Sequence, residues 1–452
     1  MSRRPTTYAP SPDVIVVGAG PAGAVVARRL AEAGADVLVL EAGPDTRDLR
    51  RLPALTLPLR AEDPRARPID ALVPGGETLR LWRGRGPGGS GAINGAAWTP
   101  APREVVETWT GFDPRRYDDA LARAEAVMAP AEVPASPLAE ELANALGVPL
   151  QPGRLTIEHG GERRDPWTAY APEPAGARLR CDARVRELIL SPATPAGPHS
   201  STCVEGVVLD DGERLGAPVV VLAAGAIDTA RLLRGAAADA ASMMDPAHTA
   251  ALRSVGADAR EHPEVLLDIP ASLHAMLSAS PKGILGARIP LAIGGRRLEI
   301  RPYETAFDKA IPGLPKMPPQ IGIALLDPCS ASTVDTSAVH LDARPDPSDR
   351  EALDAGADLV SGALSTPAGG RGGPAGGEVR RHTGYSQHLY GTAAMGTVTD
   401  AGGRIEGLGG LRVADASILP PGLGAGPYAS VFAVAEAVAE SIASDMRDGL
   451  AR

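Results

Sequence analysis

One histidine near the end of the chain has the type and setting of a proton acceptor. His388 lies in the stretch SQHLYGTAAMG, residues 386 to 396, and small residues follow it. An imidazole titrates near neutral pH and can take a proton from a hydroxyl group within hydrogen-bond reach. The small residues would leave room for bulky ligands beside it. A lone histidine is more often structural, so the chemistry of His388 depends on what the rest of the chain brings to it.

A glycine-rich turn at the start of the chain has the pattern of a dinucleotide-binding site. Gly18, Gly20 and Gly23 form G-x-G-x-x-G between the apolar run 14–17 and a segment of helical periodicity, and a second apolar run ends at Glu41. We predict a strand, helix and strand whose helix N-terminus binds phosphates and whose terminal acid binds ribose hydroxyls. The alternative is a glycine-rich turn that binds nothing. This unit alone leaves the choice between NAD and FAD open.

A second glycine-rich stretch, LWRGRGPGGSGAINGAAW, occupies residues 81–98. Its small residues would let backbone amides approach a ligand closely. Taken alone, the same pattern is equally typical of a flexible surface loop.

The elements that position these groups indicate two domains. Apolar runs at 185–190 and 219–222 predict strands, the second of them in a parallel sheet with the first strand of the chain. Residues 101–128 are predicted to form an amphipathic helix, and 431–442 the last helix. From about residue 264, short strand-like runs predict an antiparallel sheet. These runs are VLLDI, ILGARIPLAI, RRLEIRPY, PQIGIALL and SAVHLD.

Composition excludes several classes of protein. The 452 residues are 44% hydrophobic and 22% charged, which is typical of a globular chain. The net charge of -10, without a basic block, argues against a nucleic-acid partner. Cys181, Cys203 and Cys329 are scattered, which indicates neither a metal site nor a disulfide framework. With no signal peptide and no apolar span of membrane length, we expect a cytoplasmic protein without a transmembrane segment.

The order of these motifs resembles the glucose–methanol–choline (GMC) family of FAD oxidoreductases over nearly the whole chain. The resemblance begins with VVGAGPAG and EAG and continues with RGRGPGGSGAIN, AAGAIDTARLL and EHP. It ends with H-x-x-G-T-x-x-M-G followed by LRVADASILP, which is its most specific part. The compact form is also similar to a bacterial subgroup associated with the redox carrier mycofactocin.

This resemblance implies the fold and its domains. We expect an α/β protein with an FAD-binding, Rossmann-like parallel sheet and an inserted substrate domain built on an antiparallel sheet with helices (α+β). The FAD-binding domain is expected over 11–263, including a helical excursion at 101–160, and again over 381–447. The substrate domain is expected over 264–380. Within it, LSTPAGGRGGPAGG at 364–377 is interpreted as either a disordered loop or a mobile lid.

The resemblance also implies the residues that contact FAD. The expected contacts come from the first glycine-rich motif with Glu41 and from the second glycine-rich stretch. Val185 is expected at the adenine, and C-terminal residues at the pyrophosphate, at the ribityl chain and at the start of the last helix. Position 93 is an isoleucine where some members carry a flavin-linked histidine, so non-covalent FAD is expected, and no metal. The expected cofactor contacts are Gly18, Ala19, Gly20, Pro21, Ala22, Gly23, Glu41, Ala42, Arg83, Gly88, Gly89, Ser90, Asn94, Gly95, Ala97, Val185, Ala224, Asp415, Ala416, Tyr428 and Ala429.

By the same resemblance, His388 is the general base in hydride transfer from an alcohol CH–OH group to flavin N5. Tyr428 stands where the family usually has a second histidine or asparagine, and a phenol is a poor base at neutral pH. His262, in EHP, is interpreted as a structural hinge. We expect an alcohol dehydrogenase or oxidase of the choline dehydrogenase-like kind, with oxygen, a quinone or a protein as electron acceptor. The alternatives are a relay that reoxidises a reduced carrier such as mycofactocinol for a respiratory acceptor, and a degenerate protein that binds FAD without catalysis.

Overall fold

The computed structural model describes residues 11–192, 202–240, 243–365 and 379–449. Within these residues the strands are β1 (Val14–Val17), β2 (Val37–Leu40), β3 (Ala66–Leu72), β4 (Thr78–Gly84), β5 (Ala131–Val133), β6 (Gln151–Leu155), β7 (Arg178–Arg180), β8 (Val185–Ser191), β9 (Thr202–Leu209), β10 (Arg214–Gly216), β11 (Val219–Leu222), β12 (Pro263–Asp268), β13 (Ala287–Ile293), β14 (Arg296–Pro302), β15 (Gln320–Leu325), β16 (Ala331–Val334), β17 (Val339–Arg344), β18 (Arg381–Tyr385), β19 (Arg404–Ile405) and β20 (Leu408–Val413). The helices are α1 (Pro21–Glu32), α2 (Arg103–Val106), α3 (Pro114–Met128), α4 (Pro137–Leu146), α5 (Pro166–Tyr170), α6 (Gly225–Ala240), α7 (Pro246–Ser254), α8 (Phe307–Ala310), α9 (Pro347–Ser365) and α10 (Pro427–Arg447), with short 3-10 turns at Gly89–Ala92, Ala271–Met276 and Ala416–Ile418.

The first sheet has β1 at its centre. Strands β2 and β11 flank β1 in parallel register, β7 pairs in parallel with β2, and β20 pairs in parallel with β11. The side chains of β1 and β11 are buried on both faces of the sheet. This burial explains why the sequence shows continuous apolar runs here rather than alternation. The predicted parallel sheet, including the strand at 219–222, is therefore confirmed.

Helices α1 and α10 pack together against this sheet. The guanidinium of Arg29 on α1 makes two hydrogen bonds of 2.8 Å to the carboxylate of Glu436 on α10. The hydroxyl of Tyr170 donates to the same carboxylate at 3.0 Å. These contacts fix α10, which follows the His388 segment, beside α1, which follows the first glycine-rich turn.

The second sheet is antiparallel and has the order β18-β12-β15-β14-β13-β6-β5. Helices α4 and α9 cover one of its faces through an apolar cluster that is separate from the core of the first sheet. The opposite face is turned toward the first sheet across a cavity, described below. Four of the predicted strand-like runs, VLLDI, ILGARIPLAI, RRLEIRPY and PQIGIALL, lie in this sheet, as expected.

The antiparallel sheet draws strands from outside the range predicted for the substrate domain. Strands β5 and β6 come from the segment predicted to be a helical excursion, and β18 comes from the segment assigned to the C-terminal part of the FAD-binding domain. These short strands pair at the two edges of the sheet, where a local sequence pattern says little about the partner. The domain boundaries therefore stay a proposal.

The SAVHLD run does not join the antiparallel sheet, contrary to the prediction. It forms β17, which pairs with β16 and, in parallel, with β3 of a separate four-stranded sheet. Alternation in a sequence identifies a half-buried strand but not its partner. Strands β3 and β4 of this small sheet were not predicted, although the turn at Gly75 and Gly76, both with positive φ, is a hairpin signal.

One further prediction is corrected, and another falls mostly outside the described residues. The helix expected over 101–128 is broken into α2 and α3, because Gly111 adopts a positive φ and Asp113 caps a new helix by accepting a hydrogen bond from the Arg115 amide at 2.9 Å. Residues 366–377 of the predicted loop or lid lie outside the described residues, and 364 and 365 end α9. Across the part of the chain that the structure describes, no helix combines the length and apolarity that crossing a bilayer requires.

Candidate active site

A large cavity opens where the parallel strands of the first sheet end. Gly18, Glu41, Ala224 and Asp415 follow β1, β2, β11 and β20, whose carboxyl ends meet at one edge of the sheet and line the cavity. Ligands of open α/β sheets bind at this edge. The cavity has a volume of about 1210 Å³ and reaches the face of the antiparallel sheet. It is larger than the roughly 300–1,000 Å³ of an ordinary small-molecule pocket, so it can hold a dinucleotide together with a second molecule.

Most of the residues predicted from the sequence line this cavity, and the remainder lie just behind its wall. Ala19, Gly23, Gly88 and Ala429 are buried without lining it. The predicted residues that do line it are Gly18, Gly20, Pro21, Ala22, Glu41, Ala42, Arg83, Gly89, Ser90, Asn94, Gly95, Ala97, Val185, Ala224, His388, Asp415, Ala416 and Tyr428.

The two glycine-rich stretches touch each other in the floor of the cavity. A Cβ atom at Gly89 would lie 2.7 Å from the Cα of Gly20, and one at Gly23 would lie 1.9 Å from the carbonyl oxygen of Gly18. Gly18 itself has a φ of +104°, and a Cβ there would lie 2.5 Å from the carbonyl oxygen of Ala223. Side chains at these positions would force the backbone loops apart and fill the space where a ligand's phosphates approach.

Glu41 has a structural task in addition to the predicted one. Its carboxylate accepts hydrogen bonds from the backbone amides of Ala19 at 2.8 Å, Gly43 at 2.8 Å and Gly86 at 2.9 Å. One acid thus ties together both glycine-rich stretches and the end of β2. A carboxylate has about four acceptor positions, so capacity for one ribose hydroxyl remains beside these three bonds.

Two helix N-termini face the cavity with unoccupied donors. Helices α1 and α10 begin with proline, follow a glycine, and have neither a capping side chain nor an acidic residue in the first turn. Their first amide groups and the positive ends of their dipoles are therefore available to an anionic ligand. Together with the glycine floor, this arrangement fits the pyrophosphate and ring system of a flavin dinucleotide.

The segment that carries His388 is held against the EHP segment by backbone pairing. The amides and carbonyls of Arg260 and Tyr390 exchange two hydrogen bonds of 2.9 Å, and the Ser386 amide donates to the His262 carbonyl at 2.9 Å. Gln387 has a φ of 60°, an uncommon conformation for a residue with a side chain, and its side-chain oxygen accepts from the Trp82 amide at 2.8 Å. This local conformation turns the His388 ring into the cavity wall.

His388 and His262 are in direct contact. Their Nδ1 atoms lie 3.1 Å apart, and their ring planes are nearly perpendicular at 89°. Beneath them, one carboxylate oxygen of Glu261 accepts from the His388 amide at 2.6 Å and from the His262 amide at 2.8 Å. The sequence interpretation of His262 as a hinge missed this contact, which joins residues 126 positions apart in the chain.

Burial keeps both imidazoles neutral. It lowers the pKa of His388 well below its usual value, and His262 and the guanidinium groups of Arg301 and Arg83 act in the same direction. Burial also lowers the pKa of His262 to about 3. The pKa of Glu261 is raised to about 7, because burial outweighs the opposing charge of Arg83. At neutral pH, His388 therefore has a free lone pair and can accept a proton.

Tyr428 lies in the first turn of α10 and also lines the cavity. Its ring packs edge-on against Trp98 and Phe432, with ring centres 5.8 Å and 5.1 Å away. Its hydroxyl is buried and makes no hydrogen bond of normal geometry within the described residues. Burial raises the pKa of Tyr428 above its usual value, so the phenol is a donor rather than a base.

Replacing Tyr428 with phenylalanine is expected to leave folding stability unchanged or slightly higher, since the hydroxyl loses no protein partner. The rate of flavin reduction should fall about two- to tenfold, the value of one neutral hydrogen bond to a ligand. Tyr117→Phe is the matched control. Its hydroxyl is 2.9 Å from the Ser430 hydroxyl and accepts from the Ala101 amide at 3.2 Å, so this change should lower stability by about 1 kcal/mol. If urea unfolding shows the same loss of stability for Tyr428→Phe and Tyr117→Phe, the Tyr428 hydroxyl does have a hydrogen-bond partner in the protein.

The wall opposite the glycine floor carries a buried charged cluster that the sequence analysis did not identify. Arg301 on β14 donates to Glu299 at 2.8 Å and to the Ser386 hydroxyl at 2.7 Å, and its guanidinium lies 3.4 Å from Glu264. The hydroxyl of Tyr303 donates to Glu264 at 2.6 Å. All five residues line the cavity, so this end of it presents polar groups whose charges are already paired.

Apolar side chains line the cavity beyond this cluster. Leu57, Phe307, Ile311, Leu314 and Met317 are among them, and Leu314 is 41% exposed. A ligand that reaches His388 past these residues therefore meets both an apolar surface and the polar cluster.

Comparisons with known proteins agree with this geometry. Residues 327–435 match the family model described as GMC oxidoreductase, and residues 16–47 match the model described as an NAD(P)-binding Rossmann-like domain. An uncharacterized GMC-type oxidoreductase of Rhodococcus erythropolis is 29% identical, over 97% of this chain and 100% of its own. An ecdysone oxidase of Spodoptera littoralis is 46% identical over 14% of this chain and 10% of its own.

Solved structures share the fold. Pyridoxine 4-oxidase from Mesorbium loti aligns with a TM-score of 0.71 at 20% identity, covering 95% of this chain and 98% of that one. A fungal aryl-alcohol oxidase aligns with a TM-score of 0.69 at 19% identity, covering 98% and 100%. The fold and the touching glycine-rich stretches define a protein of the dinucleotide-binding class. The sequence matches make the chain similar to GMC oxidoreductases, through residues 327–435 in the family model and over nearly the whole length in the Rhodococcus relative, and FAD is its cofactor.

Proposed function

We propose that this chain oxidises a CH–OH group of a small molecule, with His388 as the general base. The observation that carries the proposal is the neutral His388 ring in the wall of the cavity, with Nδ1 occupied by His262 and Nε2 left for a substrate. FAD, when bound, supplies a two-electron acceptor for the hydride of the substrate carbon. The chain itself accepts the hydroxyl proton at His388 and holds the cofactor's phosphates at the start of α1.

The printed substrates of two structural neighbours support this class. Pyridoxine and aryl alcohols both carry a CH–OH group, and the enzymes named for them share the fold of this chain. A third neighbour is a formate oxidase, at a TM-score of 0.69, 18% identity and coverage of 97% of this chain and 100% of that one. Formate is therefore the informative comparison substrate.

Anaerobic titration of the purified flavoprotein tests the proposal. Benzyl alcohol or pyridoxine should bleach the flavin absorption, while formate should not. Acid precipitation should leave the flavin in the supernatant, because Ile93 offers no atom for a covalent link. Bleaching by formate alone, or by none of the three while dithionite reduces the flavin, would reject the assignment to alcohol oxidation. Supplying oxygen, a quinone analogue or a protein acceptor then identifies the electron acceptor.

The pH dependence of flavin reduction follows from the lowered pKa of His388. A base is active above its pKa, so the rate should stay nearly level from pH 8 down to below pH 6.5 and fall only in more acidic solution. Stopped-flow reduction by a bleaching alcohol across this range measures it. Glu261 titrates near pH 7 under the histidine pair and can add a shallow step, which Glu261→Gln should remove. A tenfold fall per pH unit that begins at pH 7 in both proteins would show that His388 has an ordinary pKa.

A further inference from the structure

The contact between His262 and His388 raises the question of which ring donates the hydrogen bond that joins them. The two Nδ1 atoms are 3.1 Å apart, so one of them carries a hydrogen and donates a hydrogen bond, and the other accepts that bond. If His262 were the donor, His388 would carry its own proton on Nε2 and could not act as a base there. If His388 is the donor, its Nε2 has a free lone pair.

The surroundings of His262 favour His388 as the donor. Nε2 of His262 is buried and makes no hydrogen bond of normal geometry within the described residues. The Leu326 carbonyl favours a proton on this ring and raises its pKa, against the larger effects of burial and Arg301. A carbonyl can only accept a hydrogen bond, and Nδ1 of His262 is already engaged by His388. The proton of neutral His262 therefore belongs on Nε2, which leaves its Nδ1 as an acceptor.

The pair is also held in a fixed geometry. Glu261 accepts from the backbone amides of both histidines, and the His262 ring packs against Tyr390 with ring centres 5.4 Å apart. The backbone at both histidines is thereby fixed, and the His262 ring cannot turn without losing its packing against Tyr390 and its contact with His388. An orienting partner of this kind fixes the tautomer and direction of a histidine that acts on another group.

We propose that His262 is a positioning residue for His388: its Nδ1 accepts a hydrogen bond from the Nδ1–H group of His388 and so keeps Nε2 of His388 free to take a proton from the substrate. This assignment rests on the proposed function only in naming the substrate's hydroxyl as the proton donor. In the step itself, the O–H bond of the alcohol breaks and an Nε2–H bond forms on His388. The resulting imidazolium still donates its Nδ1 proton to His262, which stabilises the positive charge.

Nitrogen NMR of the FAD-loaded protein tests the assignment without any substrate. In protein labelled with ¹⁵N-histidine, the His388 signals, identified by their loss in His388→Asn, should show a protonated Nδ1 and a bare Nε2. A wild-type His388 protonated on Nε2 would overturn the proposal. The result requires no His262 variant to fold, and it stands even if no alcohol reduces the flavin.

Two substitutions of His262 add a kinetic test. His262→Leu has no acceptor and should reduce the rate of anaerobic flavin reduction by benzyl alcohol or pyridoxine about 10- to 100-fold, as loss of an orienting partner does elsewhere. His262→Asn keeps an acceptor oxygen and should recover most of that loss. His274→Leu is the matched control, because the His274 ring bonds the Ile269 carbonyl at 2.9 Å and is not among the residues that line the cavity. Equal rates for the leucine, asparagine and wild-type proteins, at equal flavin content, would contradict the positioning role.

Discussion

Replacing His388 with alanine is expected to lower the rate of flavin reduction by alcohol by about 10²- to 10⁴-fold, the usual contribution of the positioned general base that we propose this residue to be. Flavin content should be unchanged, because the two glycine-rich stretches and the start of α1 are the groups that we propose to hold the cofactor's phosphates, and His388 belongs to neither. Stopped-flow absorbance under anaerobic conditions measures the rate, and the absorption spectrum after gel filtration measures the bound flavin.

A matched control separates chemistry from damage to the fold. His274→Ala removes a partly buried imidazole away from the cavity and should leave the rate within about twofold of wild type. Added imidazole should restore part of the activity of His388→Ala, since the substitution leaves a space beside Gly426, where a Cβ atom would lie only 3.4 Å from the imidazole ring. A His388→Ala protein that bleaches at the wild-type rate would show that another group removes the proton.

The sequence predicts the FAD-binding part of the fold because its signals are local. The signals lie within 28 residues, from Val14 through the three glycines to Glu41. At each of these positions the structure tolerates few other residue types. A Cβ at Gly23 would collide with the Gly18 carbonyl, and a buried parallel strand admits only apolar side chains. Local requirements of this strength can be read without knowing the rest of the molecule.

The partner of His388 could not be predicted in the same way. His262 and His388 meet because β18 pairs with β12, and this pairing depends on the register of an edge strand. No local pattern fixes that register. The sequence does place a histidine after an acid in EHP, but it gives no reason to join that histidine to one near the C-terminus.

The charged cluster in the cavity wall did leave a signal. In RRLEIRPY, Leu298 and Ile300 alternate with Glu299, Arg301 and Tyr303. Such alternation normally indicates one face in water, yet every side chain from Leu298 to Pro302 is buried. Because helices cover one face and the cavity lies on the other, charged residues of opposite sign on this strand mark a ligand-facing wall rather than a solvated surface.

Removing the guanidinium from this wall should cause the largest loss of folding stability among the changes considered. Arg301→Met leaves the buried carboxylates of Glu264 and Glu299 without their shared cation, while Arg288 still lies 3.1 Å from Glu299. Breaking a buried ion pair from one side costs about 3–5 kcal/mol, because the remaining charge stays desolvated. The shift of the urea midpoint of the FAD-loaded protein measures the loss in free energy of unfolding.

Two further variants decide whether buried charge is the cause of that loss. Arg80→Met breaks the exposed pair of Arg80 and Asp70, whose side chains are 58% and 59% accessible, and should cost at most about 1 kcal/mol. The double variant Arg301→Met with Glu264→Gln removes one of the stranded negative charges and should recover part of the stability. If Arg301→Met lowers the free energy of unfolding no more than Arg80→Met does, water reaches the cluster in the folded protein. Its charges are then screened from one another, and a substrate in this cavity meets a hydrated wall.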